Sequence, residues 1–404
     1  MGRHAPVTDW ATDFDHTDDA YVENPFPIWD ALRTECPIAH TERYNGAWLP
    51  TRHEDIAAIA YDTDRFTSRS VVMSEFRAPI ELAPEGIAPP ISSDPPFHKG
   101  ARRVLLPAFA PQAVDALEAS TRAYCEELVA ALRAGAGDDG VVDAAVGYAQ
   151  HIPVRVIANM LGLPEGDGDR FRHFVDHVLE GVDKPMEERA AGMGELFEYL
   201  QAQVLDHMAN PRPDLTSYLL GADMDGEPLD PFHVIRTIAL LLIAGIDTTW
   251  SAIGASIWHL AGHPADRERL VAEPELLPTA MEEFLRAYAP VTMARMVRED
   301  MDYAGCPMKR NDFVLLPFPA ANRDPEVFDR PDEVIIDREV NRHAAFGLGI
   351  HRCAGSHLAR MELRVALEVW LDAFPDFELA DPAGVRWSGG QVRGPRVLPV
   401  RLAR

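Results

Sequence analysis

The run from about Phe232 to Gly262 constrains the fold of this 404-residue chain more than any other stretch. It is free of proline and apolar on nearly every face (IALLLIAGI, then SAIGASIWHLAG). As a helix at 1.5 Å per residue it makes a rod of roughly 45 Å, long enough to cross a whole domain. A helix that is apolar all round must be buried, in a large core or in a bilayer. Arg236, Asp247, Thr248 and Thr249 interrupt the run, which favours a protein core over a membrane.

A hydrophobic content of 47% can supply that core. The net charge of -26 argues against a nucleic-acid binder, which needs a basic face. Four cysteines (Cys36, Cys125, Cys306, Cys353) form no CxxC pair, so neither a disulfide scaffold nor a zinc or iron–sulfur site is expected. The acidic N-terminal stretch lacks the basic start and apolar run of a signal peptide. The expectation is a reduced, soluble, cytoplasmic protein without a membrane anchor.

No repeat or low-complexity linker divides the chain. Residues 45–61 read as a strand, a turn and a helix, and helical periodicity takes over from Ala113 (AVDALEASTRAYCEELVAALRAG). Further helices are predicted near 147–162, 168–181 and 187–209. After a helix ending near Tyr288, short β-type runs (DFVLLPF, later VLPVRL) alternate with Pro, Asp and Gly turns. The last long helix begins just after Cys353, with Arg360, Arg364, Glu368 and Asp372 in one polar stripe. The fold class is therefore mainly α with small β-sheets, in one domain over residues 1–404.

The strongest chemical signal is Phe346-Gly347-Leu348-Gly349-Ile350-His351-Arg352-Cys353-Ala354-Gly355. Two glycines one residue apart allow a turn at positive φ, where bare backbone approaches a flat group closely. Cys353 lies where loop gives way to helix, so free amides and the helix dipole favour a thiolate. Taken alone, a cysteine in a helical protein is usually a small buried hydrophobe. A dinucleotide loop would need a third glycine where Arg352 stands, and a zinc site would need a second ligand pair.

This loop resembles the haem-binding signature of the cytochrome P-450 family, Phe-Gly-x-Gly-x-His-x-Cys-x-Gly, at every fixed position. The resemblance implies that Cys353 is the axial ligand of a haem b iron, that His351 contacts a propionate, and that Phe346 packs near the sulfur. It also implies the family's single, triangular-prism-like domain. Gly347, Gly349 and Gly355 belong to the same cofactor loop.

Ala244-Gly245-Ile246-Asp247-Thr248-Thr249 sits mid-helix, where Gly, an acid and β-branched residues are poor choices. A Thr hydroxyl can bond back to a carbonyl one turn earlier and open the helix locally. By its residues alone, Asp247 reads more readily as an ordinary salt-bridge partner. The stretch resembles the family's Ala/Gly-Gly-x-Asp/Glu-Thr-Thr pattern over the distal haem face. On that match Thr248 steadies reduced dioxygen, Asp247 relays protons, and Ala244 and Gly245 border the haem, Gly245 leaving space for O2.

Glu283 and Arg286 share a helix face and resemble the family's Glu-x-x-Arg framework. Its third, basic partner is missing from the expected place, where Pro331-Asp332-Glu333-Val334 puts Glu333. Asn322-Arg323-Asp324-Pro325 matches a neighbouring family segment. His98 and Arg102, one helical turn apart, and Arg295 match propionate partners. Arg352, Arg360 and Arg364 read as a local basic patch for an acidic redox partner. The 51 residues after Cys353 leave no room for a flavin or ferredoxin domain, so electrons are expected from a ferredoxin or flavodoxin-type protein with its reductase, or from a reductase outside this sequence.

The substrate is expected to be a hydrophobic small molecule. The resemblance implies a pocket drawn from residues 70–90, 171–182, the upper face of the long helix, 291–294 and 391–392, with Arg77 and Arg393 able to meet a carboxylate. The reaction implied is insertion of one atom of O2 into that molecule. A peroxide-driven oxygenase and a non-catalytic haem sensor are the alternatives.

Overall fold

A computed structural model describes residues 4–74, 85–180 and 186–403. The apolar run forms one helix, Pro231–Gly262, opened by a proline at its first turn, where no N–H is needed. It threads the largest apolar cluster, with Ile238, Leu242, Ile246, Ile253 and Ile257 almost fully buried. It is the only helix among the described residues long and apolar enough to cross a membrane, and most of that stretch is buried inside the protein.

Helices His151–Leu161, Gly168–Val175 and Met186–Ala209 pack against this rod, as does Ser356–Ala373. Gly162, in the left-handed region, ends the first of them. The pattern from Ala113 predicts one helix, but the structure breaks it into Pro111–Asp115 and Glu118–Gly135. At the break Ser120 and Thr121 both donate their hydroxyls to the Leu117 carbonyl, a side-chain bond that competes with helix continuation.

The β structure is confined to small sheets. The largest has five strands in the order Ile38–Thr41, Ala47–Pro50, Phe313–Pro317, Thr292–Val297 and Phe66–Thr67. Phe313–Pro317 runs antiparallel to Thr292–Val297 and parallel to Ala47–Pro50. That register sets Arg295 on the fourth strand, opposite Val314 of the central one. The C-terminal segment returns as Pro395–Val397 and Pro399–Leu402, the former lying against the long helix.

Three expected pocket stretches are stitched together. Ala294 N–H donates to the Val71 carbonyl at 2.9 Å, Thr292 N–H to the Gln391 carbonyl at 3.0 Å, and Val291 bridges Val392. Arg77 and Val182 lie outside the described residues. Arg393 does not serve as a free cation: it donates to the Val22 and Glu23 carbonyls and stacks on Trp387 at 4.2 Å.

Candidate active site

The cysteine loop is held in shape by backbone geometry. Gly347 and Gly349 both adopt φ of +72°, which side-chain-bearing residues rarely do. A Cβ on Gly349 would lie 2.4 Å from the Ala60 carbonyl oxygen, so only glycine lets the loop seat on helix His53–Tyr61. Cys353 N–H donates to the Phe346 carbonyl at 2.8 Å, closing the turn. Phe346 in turn lies under the Arg360 guanidinium at 4.4 Å. Gly355 caps the helix Ser356–Ala373, and its amide hydrogen-bonds the Cys353 sulfur.

Cys353 is accessible at its surface although protein surrounds it, so it faces inward rather than to the outside. Burial pushes its thiol up, against the Gly355 amide and the charges of Arg102, Arg352 and Arg360. The amide and the three arginines are the groups that favour a thiolate at this position.

Four basic side chains converge beside the loop. The His98 and His351 rings are 4.5 Å apart, and His351 Nε2 is 2.8 Å from Ser68 Oγ. Arg102 donates to the Arg352 carbonyl, and buried Arg295 donates to the Ala294 carbonyl. Burial, then Arg295, His98 and Arg102, hold the His351 imidazole well below its ordinary value. Burial and then Arg102 bring His98 down to about 4. Burial lowers Arg295 to about 10 despite Asp94 nearby.

Asp94 is the acid closest to this group, and it is already taken. It accepts from Thr67, from the Ser68 amide at 2.9 Å and from Arg298 at 2.7 Å. His98 Nε2 is buried with no hydrogen-bond partner among the described residues. Two arginines beside two neutral imidazoles, one with an orphaned ring nitrogen, form a site for carboxylates. The two propionates of haem b fit it, and the sulfur of Cys353 fits the iron.

On the long helix Thr248 Oγ1 donates to the Ala244 carbonyl at 2.9 Å, the back-bond anticipated from sequence. Ala244 is accessible in the middle of an otherwise buried helix. A Cβ on Gly245 would meet Ile157 at 3.2 Å, so the missing side chain also lets helix His151–Leu161 approach closely. Asp247 is fully buried and ion-paired with Arg396.

Glu283 accepts both Nε and Nη2 of Arg286, at 2.8 and 2.9 Å. The missing third partner is Arg338, whose Nε lies 2.9 Å from Glu283. Glu333 contributes only its carbonyl, to Arg286. Burial opposes ionisation of Glu283, but bonds from Arg286, Ile335 and Arg338 outweigh it and lower its pKa. Arg286 also donates to the Asn322 carbonyl, and Asn322 Oδ1 accepts from Ala344 N–H, which ties this framework to the cysteine loop.

The basic stripe is largely neutralised. Arg360 makes two bonds to Glu282, and Arg364 pairs with Glu118 and Glu368. The sequence offered no signal for Ser68 or Arg396; Asp94 was visible one helical turn before His98 but carried no motif of its own.

A family model, Cytochrome P450, matches residues 162–381. Nocardicin C N-oxygenase of Nocardia uniformis subsp. tsuyamanensis is 36% identical over 384 residues, 93% of this chain and 94% of that protein. Polyketide biosynthesis cytochrome P450 PksS of Bacillus subtilis is 31% identical over 397 residues, covering 95% and 97%. Its solved structure superposes with a TM-score of 0.86 over 97% of this chain and all of that one. CYP109E1 from Bacillus megaterium, solved in complex with testosterone, gives 0.86 at 29% identity over 94% and 98%. The fold, the motifs and these relatives agree: this chain belongs to the cytochrome P450 family of haem b monooxygenases.

Proposed function

We propose that residues 1–404 form one haem-thiolate domain in which Cys353 holds the iron. On this reading His98, Arg102, Arg295 and His351 bind the propionates. Ala244, Gly245, Phe346, Gly347, Gly349 and Gly355 frame the ring. The observation that carries the reading is the basic cluster beside Cys353, in which the buried His98 Nε2 has no hydrogen-bond partner among the described residues and the nearby Asp94 is already engaged by Thr67, Ser68 and Arg298. The bound group supplies one-electron chemistry and a place for dioxygen.

The chain's own residues then bind, orient and move protons. Thr248 presents a half-buried hydroxyl one turn from accessible Ala244 on the long helix, and Asp247 supplies the titratable group next to it. The substrate is an apolar organic molecule, hydroxylated, epoxidised or dealkylated. Support comes from the joined stretches at Val71, Val291–Ala294 and Val392, and from relatives named for mycinamicin IV and vitamin D(3). Electrons arrive from a separate ferredoxin or flavodoxin-type protein and its reductase. Arg352 is the one arginine of the predicted docking patch with no ion pair identified among the described residues.

The test is the absorption spectrum of dithionite-reduced protein under carbon monoxide. A Soret band near about 450 nm is expected, lost in Cys353→Ala. A band near about 420 nm in the unaltered protein, or none at all, overturns thiolate ligation.

A further inference from the structure

Gln391 is a polar side chain in the wall built by the joined stretches at Val71, Val291–Ala294 and Val392, and it keeps only 3% exposure. Its Nε2 donates to the Val71 carbonyl at 2.7 Å and lies 3.7 Å from the Met293 sulfur. A carbonyl only accepts, so the nitrogen edge of the carboxamide faces Val71 and the oxygen edge faces away. Oε1 receives no hydrogen bond among the described residues. Unlike His98 Nε2 it is not sealed in, and it opens onto accessible space.

Strand alternation identifies that space. Met293 and Arg295 are two apart on Thr292–Val297 and project to one side of the sheet. Arg295 belongs to the basic cluster with His98 and His351, so the Met293 sulfur beside the carboxamide lies on the cluster's side. On the other flank, a Cβ on Gly394 would lie 2.3 Å from Ser251, three residues beyond Thr248 on the long helix. Gln391 Oε1 therefore opens between the basic cluster and the long helix.

The turn that carries Gln391 is pinned on every side. Ser388 Oγ donates to the Val392 carbonyl at 2.9 Å and accepts from Gly394 N–H at 3.1 Å. Arg393 N–H donates to the Pro290 carbonyl at 2.8 Å, and its guanidinium ties the turn to Val22 and Glu23. The Val71 carbonyl accepts from Ala294 N–H as well as from Gln391, which fills both its lone pairs. The carboxamide cannot turn its nitrogen inward without leaving Val71, so it offers the pocket an acceptor alone.

We propose that Gln391 is a specificity-determining residue: its Oε1 accepts a hydrogen bond from a hydroxyl on an otherwise apolar substrate. This rests on the apolar pocket proposed above and adds the polar group that its ligand carries. A hydrocarbon seated against Oε1 strips the acceptor of water and returns nothing, which weakens its binding. An ether brings a second acceptor and fares no better. An alcohol supplies the donor.

The test titrates the haem-loaded protein with adamantane, decalin and dodecane, each as the hydrocarbon, the alcohol and the methyl ether. The low- to high-spin shift of the Soret band reads the dissociation constants. On at least one of these bodies the alcohol is expected to bind about three- to tenfold more tightly than the methyl ether. Gln391→Met removes the acceptor at nearly constant length, and the alcohol-to-ether ratio is then expected to fall to about one. A merely structural role for Gln391 would weaken all the ligands alike and leave the ratio standing. Should Gln391→Met lose its haem, Gln391→Leu takes its place.

A ratio near unity in the unaltered protein, or one that survives in the variant, would overturn the proposal. If the hydrocarbons shift the spin state but the alcohols gain nothing, the pocket reading stands and only the Gln391 anchor falls. If no compound shifts it while the reduced–CO band is intact, the apolar pocket falls and the anchor with it.

Discussion

Arg338 Nε lies 2.9 Å from Glu283 Oε2, the carboxylate that Arg286 grips through two nitrogens three residues along the same helix. Glu283 is completely buried, and the amide of Ile335 and the side chain of Asn341 fill its remaining acceptor positions. An acid with five donors is stabilised only while the set is complete.

Arg338→Ala should therefore destabilise the protein although Arg286 still neutralises the charge. The expected cost is about 1–3 kcal/mol, because a buried carboxylate loses a charged donor. Urea unfolding of the haem-loaded protein checks this. Arg338→Lys should recover only part, since Arg338 also donates to the Asp329 and Arg330 carbonyls. An unaltered midpoint would remove Arg338 from the framework.

Thr248→Ala deletes the hydroxyl that bonds back to Ala244. Haem content and the reduced–CO spectrum should be unchanged. Product formed per NADPH should fall by a factor on the order of ten or more, with peroxide in its place. Equal product yield per NADPH would exclude Thr248 from proton handling.

Haem retention should depend on the cationic cluster. His98→Phe and Arg295→Met each remove one charge-assisted donor, worth about 2 kcal/mol. Faster haem transfer to apomyoglobin, by roughly tenfold or more, is the expected result. A transfer rate equal to that of the unaltered protein would move the propionates elsewhere.

Acid stability should carry the mark of His16. Its ring is buried, neither nitrogen has a hydrogen-bond partner among the described residues, and burial drives it down to about 4, against the pull of Asp15. Between that value and the ordinary 6.5 the unfolded chain binds a proton that the folded protein does not. Stability is therefore lost as pH falls through this window, by about 3 kcal/mol at most, and no further below it. His16→Phe should flatten that portion of the unfolding free energy against pH. A slope that persists undiminished would assign it to other groups.

Much of the site was legible in sequence because its chemistry is local. The cysteine loop needs two glycines at positive φ within four residues, and His98 and Arg102 need one helical turn. Such requirements leave fixed spacings. Arg338 stayed hidden because it reaches Glu283 from 55 positions away through an irregular loop, where no period constrains its place. The close approach of Ile157 to Gly245 was hidden for a related reason, since only packing shows it.

Sequence by itself determined the long buried helix, the mainly helical class and the cysteine loop, since each follows from hydrophobic periodicity or backbone conformation over neighbouring residues. Tertiary structure alone decided which charges pair. Arg360 and Arg364, read as a free docking stripe, are paired with Glu282, Glu118 and Glu368. Asp247 is committed to Arg396, 149 residues later. Ion pairs of this kind depend on distance and burial in three dimensions, and a charge in the sequence does not say which opposite charge the fold will bring beside it.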